Sequence, residues 1–504
     1  MDLPTLGIAL RPPACAPACR WTGFRATCLT KIGWAILTVA LCLGSVASAG
    51  QEDVAARPNV ILCMADDLGW GDTGYNGHPV LRTPNLDQMA REGVRFDRFY
   101  SAGPVCSPTR ASCVTGRHPF RQGIYTANAG HLKPEEIDLA EVLKEHGYTT
   151  GHFGKWHLGT LTQEVVESNR GGPRGRAHYS PPWENGFDAC FSTEAKVPTW
   201  DPMVKPVKEA DARGWNALAA GLPRTAYGTH YWEGPGRMAT ANLEGDDSRI
   251  IMDRAIPFIR RAVEAGDPFL AVIWFHAPHL PVVAGPEYAA LYPGQDDYTR
   301  NYYGAITALD AQVGRLRSEL RELGVERRTM LWFCSDNGPE GQAGSAPGTA
   351  GPFRGRKRSL YEGGVRVPGL LVWPERFPEP RVITTPCVTS DYLPTVLDFL
   401  GVKVPALERR PVDGLSLVPW LEGRVLKRPS AIGFQSGKQQ AWTGNRYKLY
   451  TPDAGRTWEL YDLQDDPAES RNLAQDEPDR VQSMQAGLQD WLNSCRSSDE
   501  GADY

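Results

Sequence analysis

Asn59-Val60-Ile61-Leu62-Cys63-Met64 runs without a charge and gives way, one residue later, to Asp66-Asp67. Five consecutive apolar residues followed by two carboxylates suit a strand buried on both faces, with its far end open to a ligand. The pattern returns three times. Residues 270–275 stop at His276-Ala277-Pro278-His279, residues 330–334 stop just before Asp336-Asn337, and the run 148–153 leads to Lys155-Trp156-His157. Short, continuously apolar runs of this kind belong to a largely parallel sheet. In open α/β sheets ligands bind beyond the carboxyl ends of the strands, so these polar ends are predicted to meet in one crevice.

Helices are predicted between the strands. Thr83-Pro84 reads as an N-cap followed by a proline at the first helical position, with Leu86, Met89 and Ala90 as the apolar face and Gly93 as the end. A longer helix carries Leu309, Val313, Leu316, Leu320 and Leu323 on one stripe and closes at Gly324. Strands alternating with helices define an α/β sandwich. Periodicity fades over residues 159–247, where Gly, Pro, Trp, Tyr and His accumulate, and this segment reads as loops over the rim of the site. Its aromatics, including Trp183, Trp200, Tyr231 and Trp232, have two readings: a wall that stacks on sugar rings, or side chains that pack the loops onto the core. After residue 424 short alternating pieces at 440–442, 447–451 and 458–463 precede an amphipathic helix near 477–492, which predicts a small antiparallel sheet with a helix on it. The chain thus divides into residues 1–49, an α/β catalytic domain over 50–424 and a small C-terminal α+β subdomain over 425–504.

The 504 residues carry a formal net charge of -5, with basic residues dispersed rather than gathered in a stripe. That argues against a nucleic-acid binder and against a polyanion held along an extended groove, while leaving room for local basic loops. In the first 49 residues, Arg20, Arg25 and Lys31 precede an apolar run over 32–46, and Ala47-Ser48-Ala49 supplies a small-residue cleavage site. This reads as a signal peptide for export, periplasmic or secreted, rather than a permanent anchor, because the run is short for a span. No later segment is apolar enough to cross a bilayer. Of 11 cysteines, seven lie beyond the leader: Cys63, Cys106, Cys113, Cys190, Cys334, Cys387 and Cys495. Sparse and odd in number, they do not make a disulfide framework.

Asp66, Asp67, Asp336 and Asn337 offer only oxygen from two strand ends, a set that suits a hard divalent cation, with calcium the best match and magnesium next. Zinc would prefer His or Cys. The remaining signal is Cys106-Ser107-Pro108-Thr109-Arg110, continued by Ala111-Ser112-Cys113-Val114-Thr115-Gly116-Arg117. It resembles the modification signature of the type I sulfatases, in the arylsulfatase and N-acetylgalactosamine-6-sulfatase branch, and blocks along nearly the whole chain after about residue 57 look like the same family. Tyr447-Lys448-Leu449 and Glu459-Leu460-Tyr461-Asp462-Leu463 look like the C-terminal subdomain of that family.

The resemblance implies an alkaline-phosphatase-like sandwich in which a formylglycine-generating enzyme oxidises Cys106 to formylglycine (3-oxoalanine). A sulfated serine would be a stable ester, whereas an aldehyde hydrate attacks sulfur with one hydroxyl and expels sulfate with the other. The resemblance also implies one calcium ion held by Asp66, Asp67, Asp336, Asn337 and residue 106. It gives Arg110 the task of holding the hydrate, Lys155 contacts to sulfate and the formylglycine, His157 removal of the second hydroxyl's proton, and His279 sulfate binding and protonation of the departing alcohol, and it matches Lys357 to the family's second lysine. His276 is the weaker histidine candidate, and Arg354, Arg356 and Arg358 surround Lys357 either as added positive potential or as ordinary loop charges. The expected substrate is a sulfate monoester, preferably a carbohydrate sulfate. The rivals are a formylglycine-dependent phosphonate or phosphate diester hydrolase and, from another class, an inactive sulfate-binding protein whose cysteine is never oxidised.

Overall fold

The computed structural model describes residues 57–207 and 211–504. The leader expected over residues 1–49 lies outside the described residues. Ten strands form the main sheet in the spatial order Arg381–Ile383, Val94–Phe96, Gly369–Val372, Thr329–Ser335, Asn59–Ala65, Phe269–Trp274, Thr149–Lys155, Ala189–Thr193, Trp232–Gly234 and Arg237–Met238. The middle five, from Thr329–Ser335 to Ala189–Thr193, run parallel. Pairing turns antiparallel at Gly369–Val372 on one side and at Trp232–Gly234 on the other. The four strands picked out by their polar ends are therefore adjacent, and their carboxyl ends lie on one edge.

Burial on both faces explains why those strands read as unbroken apolar runs. Val60, Leu62 and Met64 point into a core with Ala111, Val114, Leu139, Leu143 and Val396, supplied by the helices Cys106–Thr115, Leu139–Glu145 and Tyr392–Leu400. Ile61, Cys63 and Ala65 point the other way, into a core with Leu86, Ile251, Ile259, Leu309 and Leu316 from the helices Pro84–Glu92, Asp247–Ala265 and Asp297–Glu322. The architecture is the alkaline-phosphatase-like sandwich that the sequence predicts.

The predicted elements differ in detail. Thr83 stands at the N-cap of Pro84–Glu92 without capping it: its hydroxyl donates to Asp87 and accepts from the Gly74 N–H. The segment 159–247 is not all loop. It contributes Ala189–Thr193 as the fifth parallel strand and the Trp232–Gly234 and Arg237–Met238 hairpin at the sheet edge. All seven described cysteines are unpaired thiols, and no helix among the described residues is long and apolar enough to cross a membrane.

The C-terminal sheet is antiparallel, Ile432–Ser436, Gln439–Thr443, Tyr447–Thr451 and Glu459–Asp462 in order; its first strand has no counterpart in the sequence expectation. The helix Pro478–Asp499 lies across it, and Gly433 is what lets them approach, since a side chain there would meet the Trp491 ring at 2.4 Å. This sheet is tied to the main body by a buried ion cluster: Lys448 Nζ stands 3.0 Å from Glu362 and 2.9 Å from Glu469, all three side chains fully buried.

Candidate active site

Cys106 opens the helix Cys106–Thr115, which places Arg110 one turn further along and on the same side. Cys106 Sγ lies 3.5 Å from Asp66 Oδ1. Asp66, Asp67, Cys106 and His279 bring one ligand-capable atom each to within 4.8 Å of one another. Burial, then the neighbouring Asp66 charge, push the Cys106 thiol up to about 12, so as a plain cysteine this residue is a poor thiolate nucleophile.

Three buried carboxylates meet three buried cations, as a dry interior demands. Lys155 Nζ lies 2.6 Å from Asp66, and Lys357 Nζ 2.7 Å from Asp67. Arg110 donates to Asp336 Oδ2 at 2.8 Å and to the Lys155 carbonyl at 2.9 Å, and stands 3.5 Å from Asp66. Burial works against ionisation of Asp66, but Lys155, His279, Arg110 and Lys357 outweigh it and hold the carboxyl well below its ordinary range. Asp336 goes the other way, up to about 7, because burial and the Asp66 charge outweigh Arg110. The second Asp336 oxygen accepts the Asp67 N–H at 3.0 Å. Asn337 donates to Asp67 Oδ1 at 2.7 Å, while its own Oδ1 is buried and accepts no hydrogen bond.

Lys357 reaches this cluster from a distant segment through close backbone contact. A Cβ at Gly338 would sit 2.0 Å from the Gly363 carbonyl oxygen, so glycine lets the 355–364 loop lie against the end of the Thr329–Ser335 strand. Strained backbone marks the same place. Of nine non-glycine residues with positive φ among the described residues, four line or floor the site: Asp67 (+68°), Asn128 (+65°), His157 (+58°) and Arg358 (+73°). Such conformations persist only where the surroundings over-determine them.

The two histidines differ in what they offer. Asn128 Oδ1 accepts from Asn169 Nδ2 at 2.7 Å and lies 2.6 Å from His157 Nε2, so the network gives His157 its proton on Nε2. His157 Nδ1 is then a bare lone pair, buried and unpartnered. Burial, with Lys155, Arg170 and Arg110 nearby, keeps the ring neutral, far below its usual value. His279 Nδ1 donates to the Leu280 carbonyl at 2.6 Å, leaving Nε2 3.6 Å from Asp67. Burial, partly offset by Asp67, drops this imidazole to about 3. His276, by contrast, is fully engaged between Asp247 (2.8 Å) and Thr193 (2.8 Å) in the core.

These groups open into a cavity of about 860 Å³ lined by Cys106, Lys155, His157, His279 and Lys357 together with Tyr125, Asn128, Asn169, Lys196, Glu340, Arg358, Ser436 and Gly437. The stacking wall expected from residues 159–247 is absent from its lining. Tyr231 is buried, stacked on Phe191 with centroids 4.0 Å apart, and Trp232 gives its Nε1–H to Glu167. Trp200 packs against Gly285, and Trp183 packs against the core and donates to Tyr179, so none of the four lines the cavity. Of the three arginines around Lys357, only Arg358 lines the cavity, paired with Glu340 at 2.6 Å.

The sulfatase family model matches residues 58–402, and one described as N-sulphoglucosamine sulphohydrolase, C-terminal, matches residues 351–498. The chain belongs to the sulfatase family. N-acetylgalactosamine-6-sulfatase of Canis lupus familiaris is 33% identical to this sulfatase over 446 residues, 85% of this chain and 77% of the relative. Arylsulfatase G of Rattus norvegicus is 31% identical over 510 residues, covering 89% and 90%. The solved structure of Ps i-CgsB in complex with k-i-k-neocarrahexaose superposes with a TM-score of 0.72 at 25% identity, covering 89% of this chain and 96% of that one.

Around this cavity the structure links Asp66, Asp67, Cys106, Arg110, Lys155, His279, Asp336, Asn337 and Lys357 in one network of hydrogen bonds and ion pairs, and His157 lines the cavity beside it with Nδ1 unpartnered, whereas His276, Arg354 and Arg356 do not line it. Sequence reasoning missed Asn128, Lys196, Glu340 and the Ser436-Gly437 turn. Lys196 had a signal: it lies just past the Ala189–Thr193 strand, whose end is level with Lys155, and so obeys the same strand-end rule as the other four.

Proposed function

We propose that this sulfatase hydrolyses carbohydrate sulfate monoesters by S–O cleavage, with residue 106 acting as formylglycine and a calcium ion bound beside it. The observation that carries the reading is the meeting, within 4.8 Å, of the Cys106 sulfur with Asp66, Asp67 and His279 beyond the carboxyl edge of the sheet. The Cys106 sulfur marks where an oxygen of the hydrate would lie. As formylglycine, residue 106 supplies a geminal diol, one hydroxyl attacking sulfur and the other, on losing its proton, re-forming the aldehyde and releasing sulfate. Asp66, Asp67, Asp336 and Asn337 would hold calcium; the chemistry is oxygen only, and the unpartnered Asn337 Oδ1 is a ligand atom in waiting. The ion supplies Lewis acidity toward a sulfate oxygen.

The chain's own groups divide the remaining work. Lys155 and Lys357 present fixed positive charge to the sulfate oxygens, and Arg110 anchors the carboxylate floor under residue 106; removing one such preorganised donor costs about 2.7–4 kcal/mol of barrier. His157, neutral with its lone pair on Nδ1, is the acceptor for the proton of the second hydroxyl. His279 presents a lone pair as it stands and donates to the leaving alcohol only after taking up a proton, which an anionic substrate beside it favours. The Ala-x-Ala-ended leader supports export, and the cysteine motif supports maturation by a formylglycine-generating enzyme.

The test is release of inorganic sulfate from sulfated mono- and oligosaccharides, together with the mass of the peptide containing residue 106 from natively matured enzyme. Sulfate release and an aldehyde at 106 are expected. A faster rate on a phosphate diester, or thiol throughout at 106, refutes the assignment.

A further inference from the structure

Every cation in the cavity except one already has an anion. Lys155 is matched to Asp66, Lys357 to Asp67 and Glu340, and Arg358 to Glu340. Lys196 lines the same cavity, half-buried, with no ion pair or hydrogen bond to any described residue. Leaving an ammonium partly desolvated beside two other lysines is unfavourable; burial first, then Lys155 and Lys357, lower its proton affinity. A structural role would have provided a partner, since buried charges are normally paired.

Position separates Lys196 from the sulfate floor. Lys155 and Lys357 are 1% and 5% exposed at the base, whereas Lys196 stands partly open on the wall beyond the Ala189–Thr193 strand. At about 860 Å³ the cavity is far larger than a sulfate group and has the size of a site for a drug-sized ligand. Resting on the sulfatase reading above, we infer that Lys196 is a specificity residue that binds a second anionic group of the substrate, a carboxylate or another sulfate ester, borne on the sugar next to the ester being cleaved. The preferred substrates are then multiply anionic glycans rather than neutral sugars with one sulfate.

The test compares wild type, Lys196→Gln and Lys196→Arg on para-nitrophenyl sulfate, a monosulfated neutral disaccharide, the same disaccharide carrying a uronic acid carboxylate, and the same disaccharide carrying a second sulfate. Loss of one charge-assisted contact corresponds to about a tenfold change in binding. The expected result is a KM rise in Lys196→Gln about tenfold larger for a doubly anionic disaccharide than for the two singly anionic substrates, largely restored in Lys196→Arg. The carboxylate and sulfate arms show which anion is read. An equal KM rise on all four substrates, which would put the ammonium on the scissile sulfate, overturns the inference, as does no change on any. Failure of the wild type to release sulfate from para-nitrophenyl sulfate or the disaccharides overturns the sulfatase reading and this inference with it; wild-type turnover with equal effects overturns this inference alone.

Discussion

Lys448→Met isolates the link between the C-terminal sheet and the catalytic loop. Lys448 bridges Glu362 and Glu469 at 3.0 and 2.9 Å, all three side chains buried, and Glu362 also accepts the Tyr100 hydroxyl at 2.8 Å and lies 3.5 Å from Arg366. Met fills similar space but leaves two carboxylates facing each other, and breaking a buried pair costs about 3–5 kcal/mol. Unfolding entropy of about 2.1 cal/mol/K per residue amounts to roughly 0.9 kcal/mol/K over residues 57–504, so the thermal midpoint should fall by roughly 3–5 °C. Glu362 is five residues past Lys357 on the loop that Gly338 admits, so kcat/KM should fall as well, although Lys448 touches no reacting group. Thermal scans at matched rate on Lys448→Met and on Lys448→Met with Glu469→Gln provide the measurement. The double variant, with one stranded charge removed, should recover part of the loss. A midpoint for Lys448→Met equal to wild type, or a double variant less stable than the single, refutes the reasoning.

Asn128→Ala removes the acceptor that sets the His157 tautomer and should lower kcat by up to about a hundredfold with little change in KM; a KM effect alone would place Asn128 in substrate binding instead. Calcium at about a hundred times its dissociation constant should stabilise the chelator-treated enzyme by about 2.7 kcal/mol, seen as a raised midpoint and regained turnover, and equal midpoints with and without calcium would contradict an ion at Asp66 and Asp67. Burial, outweighing Asp413, holds His118 at about 3 against an ordinary 6.5. The unfolded chain therefore takes up a proton in that interval that the folded chain refuses, and stability drops as pH falls from about 6.5 toward 3. His118→Gln, which cannot be protonated, should show a shallower acid loss of thermal midpoint than wild type, and identical slopes would show that His118 does not contribute.

Strand-end chemistry was readable in the sequence because two constraints coincide there: apolar continuity reports burial on both faces, and a polar break reports where that burial stops. That alone placed Asp66, Lys155, His279 and Asp336 on one edge. What escaped was whatever depends on contacts far apart in the chain. Glu340 and Asn128 look like ordinary loop residues until Arg358 and His157 come to rest beside them. Tyr231 and Trp232 carry the same amphipathic rings whether they stack on a ligand or, as here, seal a hairpin to the core, and local sequence does not distinguish these. Ala189–Thr193, with Ser192 and Thr193 at its end, is too polar and short to stand out among loops, which hid Lys196 as well.

The ends of four neighbouring parallel strands, the Cys106–Thr115 helix and the Lys357 loop supply the reactive floor, while other parts of the wall come from loops of separate origin: 195–196, 340 and the hairpin tip at 436–437. Chemistry and substrate choice are thus written into different parts of the polypeptide. Insertions or exchanges in those wall segments can retune which sulfate ester enters without disturbing the spacing of the strand tips, so diversification of such enzymes has a low-cost route that leaves the bond-breaking apparatus untouched.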